Sequence, residues 1–143
     1  MPRARASGAL RLRVTLEVLD IRVPKPHERT RPEILSELLE EIRRDGVLKV
    51  PVLVEREHHV ILDGHHRWEA LRRLGCRKIP AYVVDYASEE IGLTTWPGAI
   101  VSAVTKAEVV AHGVKGDLFP PKTTRHLLKE KLPESPVPLK DLM

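Results

Sequence analysis

The segment from Val60 to Gly75 restricts the possible folds more than any other part of the sequence. An apolar run ends at Leu62, a polar turn with Gly64 follows, and apolar residues then recur at helical spacing up to Leu74. Gly75 comes next and suits the left-handed conformation that ends many helices. The segment therefore predicts a strand, a tight turn and a helix.

Apolar runs elsewhere predict the remaining strands. Alternation of apolar and charged residues is typical of a half-buried strand, and short continuous runs are typical of buried ones. The predicted strands cover 10–18, 51–54, 59–62 and 79–84. Together with the helices they predict an α/β (α+β) fold, with a small mixed sheet and flanking helices.

Capping residues mark the predicted helices. Thr30 followed by Glu33 resembles a capping box for a helix that Gly46 would end. Thr105 and Glu108 resemble a second box. Two further predictions are a short helix near 127–131 and a loop at 94–98 that is rich in helix and strand breakers.

Length and composition limit the class of protein. The 143 residues suit a single domain over 1–143, with a flexible proline-rich tail at about 133–143. A net charge of +4 favours anionic partners. No apolar stretch is long enough to span a membrane and no signal-peptide core follows Met1, so we expect a cytoplasmic protein. Cys76 is the only cysteine, and the absence of Asn and Gln is typical of a thermophilic source.

The turn from Asp63 to Arg67 is the strongest candidate for a binding site. A helix that begins there presents unpaired backbone amides and the positive end of its dipole. Gly64 lets a ligand approach the backbone, while His66 and Arg67 add donors suited to phosphate oxygens. The alternative is that Asp63 only caps the helix and the histidines lie on the surface.

A metal site is a competing interpretation, because several residues are of ligand type. These residues are Glu28, Asp63, His65, His66 and His126. Adjacent histidines on a helix point in different directions, however, and no HExxH or paired-cysteine spacing occurs. Mg²⁺ bound mainly through nucleotide phosphates remains compatible with the sequence.

Three other features carry polar or aromatic groups that a binding site could use. The segment Lys122–His126 offers two hydroxyls and three potential cations, which suits a second anion, or else its threonines only cap a helix among solvated basic residues. Glu28 is either a general base or a solvated loop residue. Trp96 is either part of a lid or a packed aromatic.

The run from Val60 to Leu71 resembles the ParB/sulfiredoxin superfamily, whose members bind nucleotide phosphates at this strand, turn and helix. The likeness extends over about Leu12 to Val84. Together with Pro26–Glu28 and Gly116–His126, the chain resembles the archaeal-type free serine kinases. That resemblance implies Mg²⁺-dependent transfer of a phosphoryl group from ADP or ATP to free L-serine, which gives O-phosphoserine for cysteine synthesis.

The resemblance also implies roles for individual residues. Glu28 would accept the serine hydroxyl proton, with Asp63 and His66 completing the catalytic set and Asp63 reaching Mg²⁺. Nucleotide phosphates would lie against Gly64, His65, His66 and Arg67. Serine or the transferred phosphate would contact Trp96, Lys122, Thr123, Thr124, Arg125 and His126. The chain departs from the family in being shorter between Trp96 and Phe119.

The superfamily supplies the alternative functions as well. A sulfiredoxin needs a reactive cysteine in the turn, where this chain has His65. A ParB-like DNA-binding protein needs a helix-turn-helix after the motif, and a nuclease needs a metal-carboxylate cluster that the sequence does not show. The alternative is thus a ParB-like nucleotide- or DNA-binding protein, or a nuclease, without kinase activity, although nucleic acid is the less expected partner.

Overall fold

The computed structural model describes residues 12–99 and 101–143, which form three helices and eight strands. The helices are α1 (Pro32–Asp45), α2 (His65–Arg73) and α3 (Lys106–Lys115), and a short 3₁₀ helix spans Leu139–Asp141. The strands are β1 (Val14–Asp20), β2 (Val47–Leu48), β3 (Val52–Glu55), β4 (Ile61–Asp63), β5 (Lys78–Val84), β6 (Ile91–Thr95), β7 (Thr124–Leu128) and β8 (Val137–Pro138). No helix in these ranges is long and apolar enough to cross a membrane.

Four strands form the central sheet in the order β1-β5-β3-β4. Strand β5 runs antiparallel to β1 and parallel to β3, and β3 is antiparallel to β4, so the sheet is mixed. Strands β6 and β7 form a separate antiparallel pair, as do β2 and β8. The mixed sheet and flanking helices confirm the predicted fold class.

Each face of the central sheet packs against a hydrophobic core. On one face, Val52, Val54 and Ile61 pack in a core that includes Leu35 of α1 and Leu71 of α2. On the other face, a second core contains Leu53, Leu62, Tyr82 and Val84 of the sheet together with Val109 of α3. Alternate residues of one strand thus enter different cores, as the pleat of a strand requires. This packing fixes the end of β4, where the candidate site begins.

Several helix boundaries agree with the sequence predictions. Gly46 ends α1 with φ 69°, and Gly75 follows α2 with φ 85°. Thr105 and Glu108 form both hydrogen bonds of the predicted capping box at α3. Gly113 lies inside α3, where a Cβ atom would approach Val60 Cγ1 to 2.6 Å, and Gly116 ends the helix.

Three local predictions were wrong. Helix α1 begins at Pro32 after Arg31, without the capping box predicted for Thr30 and Glu33. The short helix predicted near 127–131 does not form: Leu127 and Leu128 end β7, where they pair with β6, and residues 129–131 are irregular. The pairing also takes Thr94 and Thr95 out of the predicted loop.

The two ends of the chain also differ from expectation. The first two positions of the predicted strand 10–18 lie outside the described residues, and β1 extends to Asp20. The tail predicted to be flexible is packed: Val137 and Pro138 pair with β2, and Leu142 is buried in the core. The proline-rich composition suggested flexibility because prolines cannot continue a ladder, but two residues suffice for this short pairing.

Candidate functional site

The amino end of α2 is open to a ligand. Gly64 occupies the N-cap with φ 104°, and no side chain caps the helix. A Cβ atom at Gly64 would lie 2.7 Å from Val52 Cγ1 and 2.8 Å from Arg67 Nη2, so only glycine fits without a shift. Asp63 ends β4 and is exposed, and it does not serve as the cap that the alternative interpretation required. The first amides of α2 are therefore free to bind an anion.

The Arg67 side chain links this turn to the residues that precede β3. Its Nη1 donates to the carbonyl oxygens of Val50 at 3.1 Å and Pro51 at 3.0 Å, and its Nη2 lies 3.5 Å from an Asp63 carboxylate oxygen. Burial lowers the pKa of the guanidinium from its usual value. Arg67 therefore places a positive charge at the turn while part of its fork is used within the protein.

The two histidines of the turn hold the neighbouring loop. His65 is buried and its Nε2 accepts a hydrogen bond from the backbone N–H of His27 at 3.2 Å. His66 Nε2 accepts from the backbone N–H of Arg31 at 2.9 Å. Burial lowers the pKa of both rings, and the cations of Lys122 and Arg31 lower that of His66 further. The backbone of this turn, more than its imidazoles, is thus available for phosphate oxygens.

The Glu28 carboxylate is surrounded by hydrogen-bond donors of the segment 122–124. Its carboxylate accepts the backbone N–H groups of Lys122 at 3.2 Å, Thr123 at 3.2 Å and Thr124 at 2.8 Å, and the Thr124 hydroxyl lies 3.0 Å away. Lys122 adopts φ 60°, a left-handed conformation that lets successive amides converge. Burial raises the pKa of Glu28, against the opposing effect of the three backbone hydrogen bonds.

His27 is a buried residue whose importance the sequence did not reveal. Its Nδ1 lies 2.6 Å from the carbonyl oxygen of Ile61, and its Nε2 lies 2.9 Å from Thr124 Oγ1. The adjacent backbone also bonds to Phe119, whose N–H donates to the His27 carbonyl oxygen. These contacts place Glu28 beside the segment 122–124. A histidine between a proline and a glutamate was the available signal, but its burial depends on contacts far away in sequence.

Trp96 lies close to the side chains of two of the predicted basic residues. Lys122 Nζ is 5.0 Å and Arg125 Cζ is 4.5 Å from the centre of its rings, which is within the range of cation–π attraction. The Trp96 backbone N–H also donates to the Thr123 carbonyl oxygen at 3.3 Å. Trp96 thus orients the two cations, and its predicted role in a lid stays a prediction.

Most of the predicted site residues line one cavity of about 300 Å³. They are Glu28, Asp63, Gly64, His65, His66, Arg67, Trp96, Lys122, Thr124 and Arg125. The cavity thus joins the amino end of α2 to the donors around Glu28. A larger groove of about 1200 Å³ lies between the turn after β3 and helix α3, away from these residues.

Thr123 and His126 do not line this cavity. The Thr123 hydroxyl donates to the Pro120 carbonyl oxygen at 2.7 Å, and His126 Nε2 lies 2.7 Å from the Tyr86 hydroxyl. Burial lowers the pKa of His126 to about 4. Both side chains therefore make contacts within the protein.

The predicted metal ligands do not form a cluster. Within 12–99 and 101–143, no group of three or more His, Cys, Asp or Glu side chains is placed to hold a metal ion. Asp63 is an exposed carboxylate on the cavity wall and belongs to no such group. It suits a metal ion that arrives with nucleotide phosphates better than one held by protein alone.

Residues 4–95 match the family model of the ParB N-terminal domain. The chain is 36% identical over 104 residues to an ATP-dependent L-serine kinase of Staphylothermus marinus, which covers 68% of this chain and 41% of that protein. It is 33% identical over 76 residues to the ADP-dependent L-serine kinase SerK of Thermococcus kodakarensis, a match that covers 50% of this chain and 31% of that protein. The matched segments thus span less than half the length of these relatives.

The fold is also similar to that of a free serine kinase solved in complex with AMP. The TM-score is 0.83 at 20% sequence identity, and the match covers 90% of this chain and 93% of the other. The likeness covers nearly all of the fold described above, whereas the family model covers the part that builds the central sheet, α1 and α2. The chain belongs to the ParB N-terminal domain family.

Proposed function

We propose that this protein transfers a phosphoryl group from ADP or ATP to the hydroxyl of free L-serine. The observation that carries the proposal is that the uncapped amino end of α2 and the Glu28 carboxylate line the same cavity. Phosphoryl transfer depends on positioning and charge neutralisation, and this cavity offers both. The similarity of the chain to L-serine kinases supports the choice of serine as the acceptor.

The nucleotide phosphates would rest against the amides of Gly64, His65, His66 and Arg67. Lys122 and Arg125, whose side chains lie close to the Trp96 ring, add positive charge to the same cavity. Mg²⁺ bound to the phosphates would reduce the charge on the transferred group, and Asp63 is the residue placed to contact it. This assignment makes the turn after β4 the nucleotide side of the cavity.

The acceptor side of the cavity contains Glu28, Thr124 and Arg125. Glu28 would accept the proton of the serine hydroxyl as that oxygen attacks phosphorus. Its raised pKa suits this role, because a general base is most effective when its pKa approaches the working pH. Arg125 would pair with the serine carboxylate or with the transferred phosphate.

A cytoplasmic location suits this activity, because nucleotide and free amino acid are both available there. The product O-phosphoserine is a precursor in which the hydroxyl has become a good leaving group, as sulfur incorporation to give cysteine requires. Nucleotide binding without transfer is the competing function, since the same α2 amino end would serve it.

The test is an assay for O-phosphoserine by ³¹P NMR with L-serine, Mg²⁺ and either ADP or ATP. Wild-type protein should form the product, whereas Glu28→Gln should lower turnover by about 10²–10⁴-fold while it still binds nucleotide in calorimetry. Glu37→Gln, which changes an exposed glutamate of α1, is the matched control and should behave as wild type. Nucleotide binding with no product from either donor would favour the competing function, and unchanged turnover in Glu28→Gln would exclude Glu28 as the base.

A further inference from the structure

A hydrogen-bonded chain of two side chains leads from the protein interior to Glu28. His27 is fully buried, and its Nε2 lies 2.9 Å from Thr124 Oγ1. Thr124 is also buried, and the same hydroxyl oxygen lies 3.0 Å from Glu28 Oε1. The single hydroxyl hydrogen of Thr124 therefore faces two possible acceptors.

The contact at the other side of the ring determines where the protons lie. The Ile61 carbonyl oxygen, 2.6 Å from His27 Nδ1, carries no hydrogen, so Nδ1 must donate. Burial lowers the pKa of His27 to about 3, so the ring is neutral and carries one proton only. His27 Nε2 is therefore bare and accepts the hydroxyl hydrogen of Thr124.

This direction of donation changes the surroundings of Glu28. When the Thr124 hydrogen points to His27, a lone pair of Thr124 Oγ1 faces Glu28 Oε1. An ionised Oε1 meets that lone pair unfavourably, whereas a protonated Oε1 can donate to it. The chain from Glu28 through Thr124 to His27 is then hydrogen-bonded in one direction throughout.

We propose that His27, acting through the Thr124 hydroxyl, favours the protonated form of Glu28 and so makes Glu28 a stronger base. This inference rests on the proposed function. In the transfer step, the serine O–H bond breaks and its electron pair forms the new O–P bond. The proton passes to Glu28 Oε1, and the P–O bond to the nucleotide breaks with its electron pair left on the departing phosphate.

Other charged groups also act on Glu28 and His27. The titratable groups that share the cavity with Glu28 are Asp63, His65, His66, Arg67, Lys122 and Arg125. The rings of His65 and His126 lie 4.6 Å and 6.0 Å from that of His27, and His112 acts on it from α3. The three cations of the cavity favour ionised Glu28, against the proposed effect. All of these groups remain when Thr124 is replaced, so a comparison among Thr124 variants isolates the hydroxyl.

The direct experiment is a ¹³C NMR titration of the Glu28 carboxyl carbon in the full chain with labelled glutamate, assigned with Glu28→Gln. Thr124→Val and Thr124→Ala should each lower the Glu28 pKa by about 0.5–1 unit, because the acceptor for the protonated form is lost. Thr124→Ser keeps the hydroxyl and should retain the wild-type pKa. A Glu28 pKa that rises or stays unchanged in Thr124→Val or Thr124→Ala would overturn the proposal, since it would mean that Thr124 does not favour protonated Glu28.

A second measurement needs no variant in the chain of contacts. The ¹⁵N chemical shifts of the His27 ring in wild-type protein near neutral pH should show Nδ1 protonated and Nε2 bare. A protonated Nε2 would overturn the proposal. Both measurements are independent of turnover, so a failure to form O-phosphoserine would contradict the proposed function alone. Conversely, an active enzyme with the opposite titration would contradict only this inference.

Discussion

At the scale of single residues, the candidate site is built from contacts between residues that are far apart in the chain. Glu28, Arg67 and Lys122 were all singled out, and the structure places them around one cavity. The sequence could not show that His65 and His66 accept hydrogen bonds from the loop of Glu28, or that His27 is buried. These contacts join residues more than thirty positions apart, and local patterns do not report such distances.

Arg67 provides a prediction at this scale. Arg67→Ala removes the donor to the carbonyl oxygens of Val50 and Pro51 as well as the charge beside the turn. Nucleotide binding should weaken by about 1.5–3 kcal/mol, and the free energy of unfolding should fall by about 1–3 kcal/mol. Calorimetry and urea denaturation measure the two effects. Arg43→Ala, on the exposed face of α1, should change neither by more than about 0.5 kcal/mol, and equal nucleotide affinity in Arg67→Ala would contradict the assignment.

At the scale of elements, periodicity and glycine positions predicted the segments that depend on their own sequence. The strand, turn and helix from β4 to α2 are one example. The segment 127–131 is the counterexample: its first two residues, Leu127 and Leu128, lie in β7 because pairing with β6 outweighs their weak intrinsic preference for a helix. A pairing partner more than thirty residues away leaves no local signal.

The turn before α2 can be tested at this scale. Gly64→Ala places a Cβ atom against Val52 and Arg67 at φ 104°, so we expect a loss of about 1–3 kcal/mol in the free energy of unfolding, together with weaker nucleotide binding. Thermal unfolding and calorimetry measure both. Gly116→Ala has a similar positive φ of 73° with nothing within 4 Å, and is the matched control. If both variants lose the same stability and both keep nucleotide affinity, close packing at Gly64 is not what shapes the site.

At the scale of the whole molecule, the buried histidines couple stability to pH. Burial lowers the pKa of His27 to about 3 and that of His126 to about 4, and it also lowers that of His65. Between the ordinary histidine pKa near 6.5 and these values, the unfolded chain binds protons that the folded chain does not. The contribution of these neutral rings to the free energy of unfolding is therefore complete above about pH 6.5 and decreases as the pH falls. Glu28, whose pKa is raised, contributes with the opposite sign.

We accordingly expect the free energy of unfolding to fall by several kcal/mol between pH 7 and pH 4.5, as measured by urea denaturation. His126→Gln should make the slope shallower. A free energy of unfolding that is constant over this interval would show that the rings of His27, His65 and His126 bind protons as readily in the folded protein as in the unfolded chain.

The molecule as a whole also shows why composition was an incomplete guide. Fold class followed from the alternation of strands and helices, but the prolines of the tail suggested flexibility where Leu142 instead enters the core.

The central claim is that nucleotide phosphates bind at the first turn of α2, and ¹⁵N-resolved amide shifts during an ADP titration test it most directly. We predict that the amides of Gly64, His65, His66 and Arg67 shift most at saturation. Largest shifts in the groove between the turn after β3 and α3, with these four amides unmoved, would contradict the account.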